Sequence, residues 1–308
     1  MLALARREES LEFPCKLSVI ALTYNQPAAL RLLLAALAKQ IDPPPFEVVV
    51  TDDGSSCDNA AIVAAAARLL GLDIHYVWQP HRGFRAARAR NNGLRQSRGD
   101  LLLFLDGDIV VPPTLLRSHF ALHDGSRKVV CGRRRHVLPG VCDLDQYDEK
   151  LLRVLAEHSR EADPAQAFWS TGPHPWMSLN SFAFSAPRSD HLFFDEEMVG
   201  WGSEDRELAL RLFHRNGYRF VLPTDFEPLF HLLSPGFSAH HEKIVSGIKN
   251  KLYLIARFGM ETVAPALEVM RSWTVDPATD RWMAAKQRRP ESLDQILAEA
   301  RAWFARQG

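Results

Sequence analysis

Leu101-Leu102-Leu103-Phe104-Leu105 runs directly into Asp106-Gly107-Asp108 and then Ile109-Val110, and this stretch limits what the chain can fold into more than any other. Consecutive large apolar residues suit a parallel strand buried on both faces, and ligands of open α/β sheets sit beyond the carboxyl ends of such strands. Both carboxylates fall at that end. Separated by a glycine, they can offer hard oxygen ligands to a divalent cation, while the glycine lets a polyanion approach the backbone. An ordinary Asp/Gly turn would have the same spelling, so the metal reading depends on the rest of the chain.

The segments before this stretch repeat a strand, loop, helix pattern. Residues 17–22 are apolar, Thr23-Tyr24-Asn25-Gln26-Pro27 follows, and an Ala/Leu-rich segment extends to about Gln40, with Pro27 in the first helical turn, where its missing N–H costs nothing. Residues 46–50 begin a second strand that ends in Thr51-Asp52-Asp53-Gly54-Ser55-Ser56, before a helix over 58–70. Residues 74–78 read as a third strand, followed by a helix to about Arg98. Such alternation predicts an α/β fold with right-handed crossovers. Asn25, Asp52, Asp53, Asp106 and Asp108 then gather at the C-terminal side of the strands. The sequence has no G-x-G-x-x-G after its first strand and no G-x-x-x-x-G-K-[ST], which argues against a dinucleotide dehydrogenase and a P-loop enzyme.

Lys plus Arg and Asp plus Glu are equal at 37 each, so no nucleic-acid partner is expected and charge acts through local clusters. The first nine residues place their charges after a short apolar patch, the reverse of a secretory signal. No run approaches the ~18 apolar residues that span a bilayer. The four cysteines form no C-x-x-C pair. A cytoplasmic setting is expected, with at most peripheral contact at the inner face of the membrane.

Arg82, Arg85, Arg88, Arg90, Arg95 and Arg98 lie in one segment without an acid. They could be a solvated helix face or a diphosphate clamp, with Arg85 and Arg88 or Arg90 best placed because a helix N-terminus favours anions. Residues 168–184 are irregular and aromatic, a composition that often lines binding surfaces. Within them Trp176 is a candidate acceptor contact and Asn180 a candidate donor contact, although packing under a loop would explain each tryptophan equally well. Further on, Gly200-Trp201-Gly202-Ser203-Glu204-Asp205 opens a helix. Ser203 reads as an N-cap with two acids in the first turn, which could be their whole purpose. The flanking glycines could instead leave the Trp201 ring open to a sugar, with a carboxylate at the same mouth as general base. His231 becomes interesting only if the fold returns it to Asp106 and Asp108. His240-His241-Glu242 lacks the second histidine of H-E-x-x-H, so a zinc-protease reading fails. A helix is expected from about Ala239 to Phe258, then short amphipathic helices, with residues 281–290 a polar linker.

Taken together, residues 19–25, Asp52-Asp53-Gly54-Ser55, the stretch from Gly83 to Gly93, Asp106-Gly107-Asp108 and Gly200–Asp205 resemble the inverting glycosyltransferases of family 2. The last motif is also shared with galactosyltransferases and chondroitin-type polymerases. The resemblance covers about residues 17–231. It implies a GT-A fold, Rossmann-like, with a mostly parallel central sheet flanked by helices, and a helical C-terminal extension is read after it. The expected division is an N-terminal extension (1–16), a nucleotide-sugar-binding half (17–125), an acceptor-binding and catalytic half (126–235) and the extension (236–308). The resemblance further implies donor contacts at Thr23, Tyr24 and Asn25, the nucleotide base at Asp53, the diphosphate near Arg85 and Arg90, and the ribose at Asp106. Mn2+ or Mg2+ would sit on Asp108, with Asp106 and His231 beside it. Trp201 and Glu204 would hold sugar, and Asp205 would be the general base. Leu22 and Ser203 depart from the family pattern, where proline or a small residue and glycine, respectively, are common.

The implied reaction moves a sugar from a nucleotide-sugar donor, expected to be a UDP-linked hexose or N-acetylhexosamine, to a hydroxyl of a carbohydrate, glycolipid, peptide or small metabolite. A sugar-phosphate nucleotidyltransferase is the alternative enzyme, but it should carry a glycine-rich loop with a lysine or arginine after the first strand. A non-catalytic carbohydrate-binding protein on the same fold is the alternative from another class.

Overall fold

The structure is a computed structural model and describes residues 16–138, 146–161, 172–179, 183–232 and 241–307. Its first half follows the alternation of the sequence: β1 (Leu17–Thr23), α1 (Pro27–Ala38), β2 (Phe46–Asp52), α2 (Asn59–Leu70), β3 (Ile74–Trp78), α3 (Ala86–Gln96) and β4 (Leu101–Asp106). Local chemistry sets the helix ends. Pro27 occupies the first turn of α1, the Asp58 carboxylate accepts from the Ala61 amide at the start of α2, and Gly71 closes α2 in the left-handed region at φ 66°.

Next come β5 (Ile109–Val110), α4 (Leu115–Ala121), β6 (Lys128–Cys131), β7 (Arg134–Val137), α5 (Glu149–Glu157), β8 (Ser159–Glu161) and β9 (Ala183–Pro187). They are followed by α6 (Glu204–His214), β10 (Arg219–Val221) and β11 (Leu229–His231). The main sheet has the order β10-β6-β9-β4-β1-β2-β3. β3, β2, β1 and β4 are mutually parallel, whereas β9 runs antiparallel to both β4 and β6, so the sheet is mixed. β5, β11, β7 and β8 form a second sheet in that order.

β4 shows why an unbroken apolar run was required. Leu101, Leu103 and Leu105 enter one hydrophobic core with Val19, Ala21 and α1, while Leu102 and Phe104 enter the other with Ile20 and α6. Side chains alternate across a strand, so a strand covered on both faces must be apolar at every position. Phe104 stacks on Phe184 of β9 at 4.7 Å between centroids and meets Phe194 edge-on at 5.6 Å.

The C-terminal part comprises α7 (His241–Phe258), α8 (Met260–Leu267), β12 (Trp273–Asp276), β13 (Arg281–Ala284) and α9 (Leu293–Arg306). It is not purely helical. Residues expected to be a polar linker include β13, which pairs antiparallel with β12, and Trp282 is buried against Trp303. A single large apolar residue, Trp282, anchors an otherwise exposed strand, which composition alone does not reveal. No described helix is long and apolar enough to cross a membrane.

Candidate active site

The C-terminal ends of β1, β2 and β4 lie side by side, with Thr23 opposite Asp52 and Leu22 opposite Asp106. Asp52 is fully buried and accepts from the Ser55 amide (2.7 Å), Asn59 (2.8 Å) and the Tyr76 hydroxyl (2.8 Å), which fixes the loop carrying Asp53. Asp53 is buried as well. Its carboxylate accepts from Gln79 Nε2 at 2.6 Å and from the Arg85 amide at 2.7 Å, so it ties β2 to the start of α3. Gly54 takes φ 87°, and a Cβ there would stand 2.4 Å from the His81 backbone. The exposed Tyr24 ring stacks on His81 at 5.0 Å.

Two residues expected at the donor make bonds within the loops around it. The Asn25 side-chain oxygen accepts from the Ser56 amide at 2.8 Å, so its visible work is to join two loops. Arg85 donates to the Pro80 carbonyl at 2.7 Å. Thr23 is buried, and its hydroxyl has no hydrogen-bond partner among the described residues.

Arg90 is the inward arginine of α3. Buried at 2 % exposure, it donates to Asp106 Oδ1 at 2.7 Å and to Glu204 Oε1 at 3.0 Å, with its guanidinium 5.2 Å from the centre of the Phe194 ring. Arg88 and Arg95 instead pair with Glu196, and Arg98 with Glu47 and Asp73. Within α3 the arginines therefore divide by helical face, Arg90 inward and Arg88 and Arg95 toward Glu196. Burial pushes Asp106 up to about 6 against the pull of Arg90, with the nearby Asp108 adding to the rise. Glu204 is also raised, by burial and then by Asp205 beside it.

β5 and β11 return His231 to this edge. His231 lies opposite Ile109, and its Nε2 stands 3.3 Å from Asp108 Oδ2. On the other side, His231 Nδ1 meets His136 Nδ1 at 3.0 Å across the parallel β7–β11 pair. Burial, then Arg134, pushes His136 down to about 4, so it is neutral at pH 7 and its Nδ1 can accept a hydrogen bond from His231 Nδ1. With Nδ1 turned to His136, His231 Nε2 faces Asp108 Oδ2, and a cation seated between the two would be held by both. Asp108 also lies 3.5 Å from Gln26 Nε2. The donor set fits a divalent cation: one carboxylate, one imidazole and a second acid nearby.

Gly107 also has a structural need. A Cβ there would stand 2.4 Å from the Leu22 carbonyl oxygen, so the glycine lets the turn pass the end of β1. Glu47, Asp73 and His75 also converge, but at the N-terminal edge of the sheet, where Arg98 already donates to both acids. That cluster carries its own cation and lies at the far end of the strands from Asp108.

Glu204 and Asp205 occupy the first turn of α6, as expected, but Ser203 does not cap it. Its backbone is left-handed at φ 79°, and its hydroxyl accepts from Lys251 Nζ at 3.2 Å. This conformation also explains why glycine is common at the position, since a Cβ disfavours the left-handed region. Asp205 Oδ1 accepts from the Arg206 amide at 2.8 Å. Trp201 is half-buried against α7, with its amide donating to Ser246 Oγ at 3.0 Å. Trp176 is fully buried in the core, so its ring is not offered to an acceptor, which corrects the sequence reading. Asn180 lies outside the described residues, as does His240.

Residues 18–169 match the family described as glycosyl transferase family 2. The chain is 33% identical over 244 residues to a hyaluronan synthase of Pasteurella multocida, covering 71% of this chain and 25% of that protein. It is 34% identical over 256 residues to validoxylamine A glucosyltransferase of Streptomyces hygroscopicus subsp. limoneus, covering 74% of this chain and 52% of that protein. The chain thus spans from a quarter to about half of these relatives. Among solved structures, a mannosyltransferase of Pyrobaculum calidifontis in complex with GDP-Man and Mn2+ superposes with a TM-score of 0.55 at 18% identity, over 96% of this chain and 75% of that one. S. aureus TarS 1-349 in complex with UDP-GlcNAc gives 0.53 at 22% identity, over 94% of this chain and 72% of that one. Both likenesses are of the GT-A fold.

Proposed function

We propose a specific reaction for this chain, which belongs to glycosyl transferase family 2: it moves a hexose or N-acetylhexosamine from a UDP-linked donor to an acceptor hydroxyl, with inversion at the anomeric carbon. The observation that carries the reading is the bridge made by Arg90. By bonding both Asp106 and Glu204, it ties the acid pair of β4 to the first turn of α6, although the two are far apart in sequence. A donor held at one would present its anomeric carbon near the other.

In this reading Asp108 and His231 hold Mn2+ or Mg2+, which when bound supplies Lewis-acid stabilisation of the leaving diphosphate. Asp106, steadied by Arg90, faces the ribose. Asp53 shapes the base pocket through its bonds to Gln79 and the Arg85 amide, and Tyr24 with His81 offers an exposed aromatic platform at its mouth. Glu204 and Trp201 contact sugar. Asp205 removes the proton from the attacking hydroxyl, and a single displacement inverts an α-linked donor to a β-linked product. The whole protein's acceptor is a carbohydrate or another hydroxyl-bearing molecule.

The test is UDP release from UDP-glucose, UDP-galactose and their two N-acetyl counterparts with Mn2+, followed by assignment of the product anomer. Asp108→Ala is expected to weaken Mn2+-dependent UDP binding by tenfold or more, on the order of the loss seen when metal-site residues are removed. Equal UDP affinity with and without the metal, or a retained anomer, would contradict the proposal.

A further inference from the structure

The loop that presents Asp205 is held along its length by one helix of the C-terminal part. The Ser246 hydroxyl of α7 accepts from the Trp201 amide at 3.0 Å, Asn250 Nδ2 donates to the Gly202 carbonyl at 2.8 Å, and Lys251 Nζ donates to Ser203 Oγ at 3.2 Å. Residues 246 and 250 lie one turn apart on one face of α7, and 251 lies about 100° further round, so its long side chain reaches the loop from the flank. The fit is close: a Cβ on Gly200 would stand 2.5 Å from Ser246 Cβ, and one on Gly247 3.1 Å from the Trp273 ring.

We propose that Lys251 is a positioning residue for sugar transfer, holding Ser203 in its left-handed turn so that Asp205 is presented to the acceptor hydroxyl. The inference rests on Asp205 being the base. A serine before a helix ordinarily adopts an extended backbone and turns its hydroxyl onto the first-turn amides. At Ser203 neither happens: φ is 79°, and the hydroxyl makes no bond to the helix start. Lys251 takes that hydroxyl instead. The lysine is itself unusual, 6 % exposed with its amine 5.2 Å from the centre of the Trp273 ring. Burial depresses it to about 8; Asp205 and Glu204 favour its charged form, and Arg206 opposes it. A buried ammonium is costly unless it is paired and hydrogen-bonded, and here it donates to the Ser203 hydroxyl, in the turn before the base.

The experiment compares Lys251→Met, Ser203→Gly and the double variant, using whichever of the four UDP-sugars the wild-type chain turns over with Mn2+. Lys251→Met should lower kcat by about ten- to a hundredfold, the scale of a displaced catalytic group, with KM for the donor and Mn2+-dependent UDP affinity within about twofold. Its melting temperature should not fall, because a neutral side chain of similar volume replaces a desolvated charge. Glycine adopts the left-handed turn without support, so Lys251→Met/Ser203→Gly should recover most of the lost kcat. Asn250→Ala, which releases the Gly202 carbonyl, is a second variant expected to show the same split of kcat from KM. Wild-type kcat in Lys251→Met, or a double variant no faster than the single one, would overturn the positioning role. An Asp205→Asn variant with wild-type turnover overturns the base assignment itself, and is read separately from the lysine series.

Discussion

Arg90 is the residue on which the site's two halves meet. Its planar fork reaches Asp106 with one nitrogen and Glu204 with the other, while its third nitrogen, Nε, is buried without a partner among the described residues. A lysine cannot reproduce that geometry. Arg90→Lys is expected to cost about 3 kcal/mol in urea unfolding, because at least one buried carboxylate loses its partner, and to reduce donor affinity at the same time. An unfolding midpoint equal to wild type would show that the bridge is dispensable. At the neighbouring metal-side residues, His136→Phe removes the ring nitrogen that meets His231 Nδ1. It should weaken Mn2+ binding tenfold or more, the usual effect of losing such a partner, and calorimetry of Mn2+ with UDP reads it directly.

At the scale of elements, α3 lies so close to β1 and β2 that a single methyl group matters. Gly93 faces the sheet from α3, and a Cβ there would stand 2.3 Å from Thr51 Cγ2 and 2.8 Å from Ile20 Cγ2. Glycine to alanine in a helix interior ordinarily stabilises by about 1 kcal/mol. Here overpacking, worth about 1–3 kcal/mol, should win, so Gly93→Ala is expected to lower the urea midpoint. A raised midpoint would mean that α3 can move away from β1 and β2 at little cost. The same closeness explains what the sequence could reveal. Asp52, Asp53, Asp106 and Asp108 were legible because each follows a short apolar strand, and strand ends place ligand groups. His231 could be named only conditionally, since its position depends on β11 pairing with β5. His136 and Lys251 carried no local signal: one reaches the site through the β7–β11 register, the other through a helix beyond the resembling region. Trp176 misled because an irregular aromatic segment has the same composition whether it packs inward or faces a ligand.

Across the whole molecule, two cores flank one mixed sheet, and the buried histidine of α4, His119, makes its stability depend on pH. His119 is fully buried, with Nδ1 2.8 Å from the Ser185 hydroxyl, which His123 also approaches at 2.8 Å. Burial pushes His119 down to about 3. The unfolded chain therefore takes up the proton first, so this contribution is full above about pH 6.5 and is lost progressively as pH falls toward 3. Between pH 7 and pH 5 the loss from His119 should be about 2 kcal/mol. Chemical denaturation at the two pH values measures it, and a His119→Phe chain with the same pH slope would assign the loss elsewhere. The C-terminal part belongs in this description too, because α7 and Trp273 surround the turn that carries Asp205.

The division between donor binding at Asp108 and proton removal at Asp205 is tested most directly by one paired measurement on Asp205→Asn: sugar transfer, and Mn2+-dependent UDP affinity on the same preparation. The amide keeps the shape of the carboxylate and loses its basicity, so transfer should fall by about a thousandfold while affinity stays within about twofold. Turnover near the wild-type rate, or loss of UDP binding in step with activity, would contradict that division.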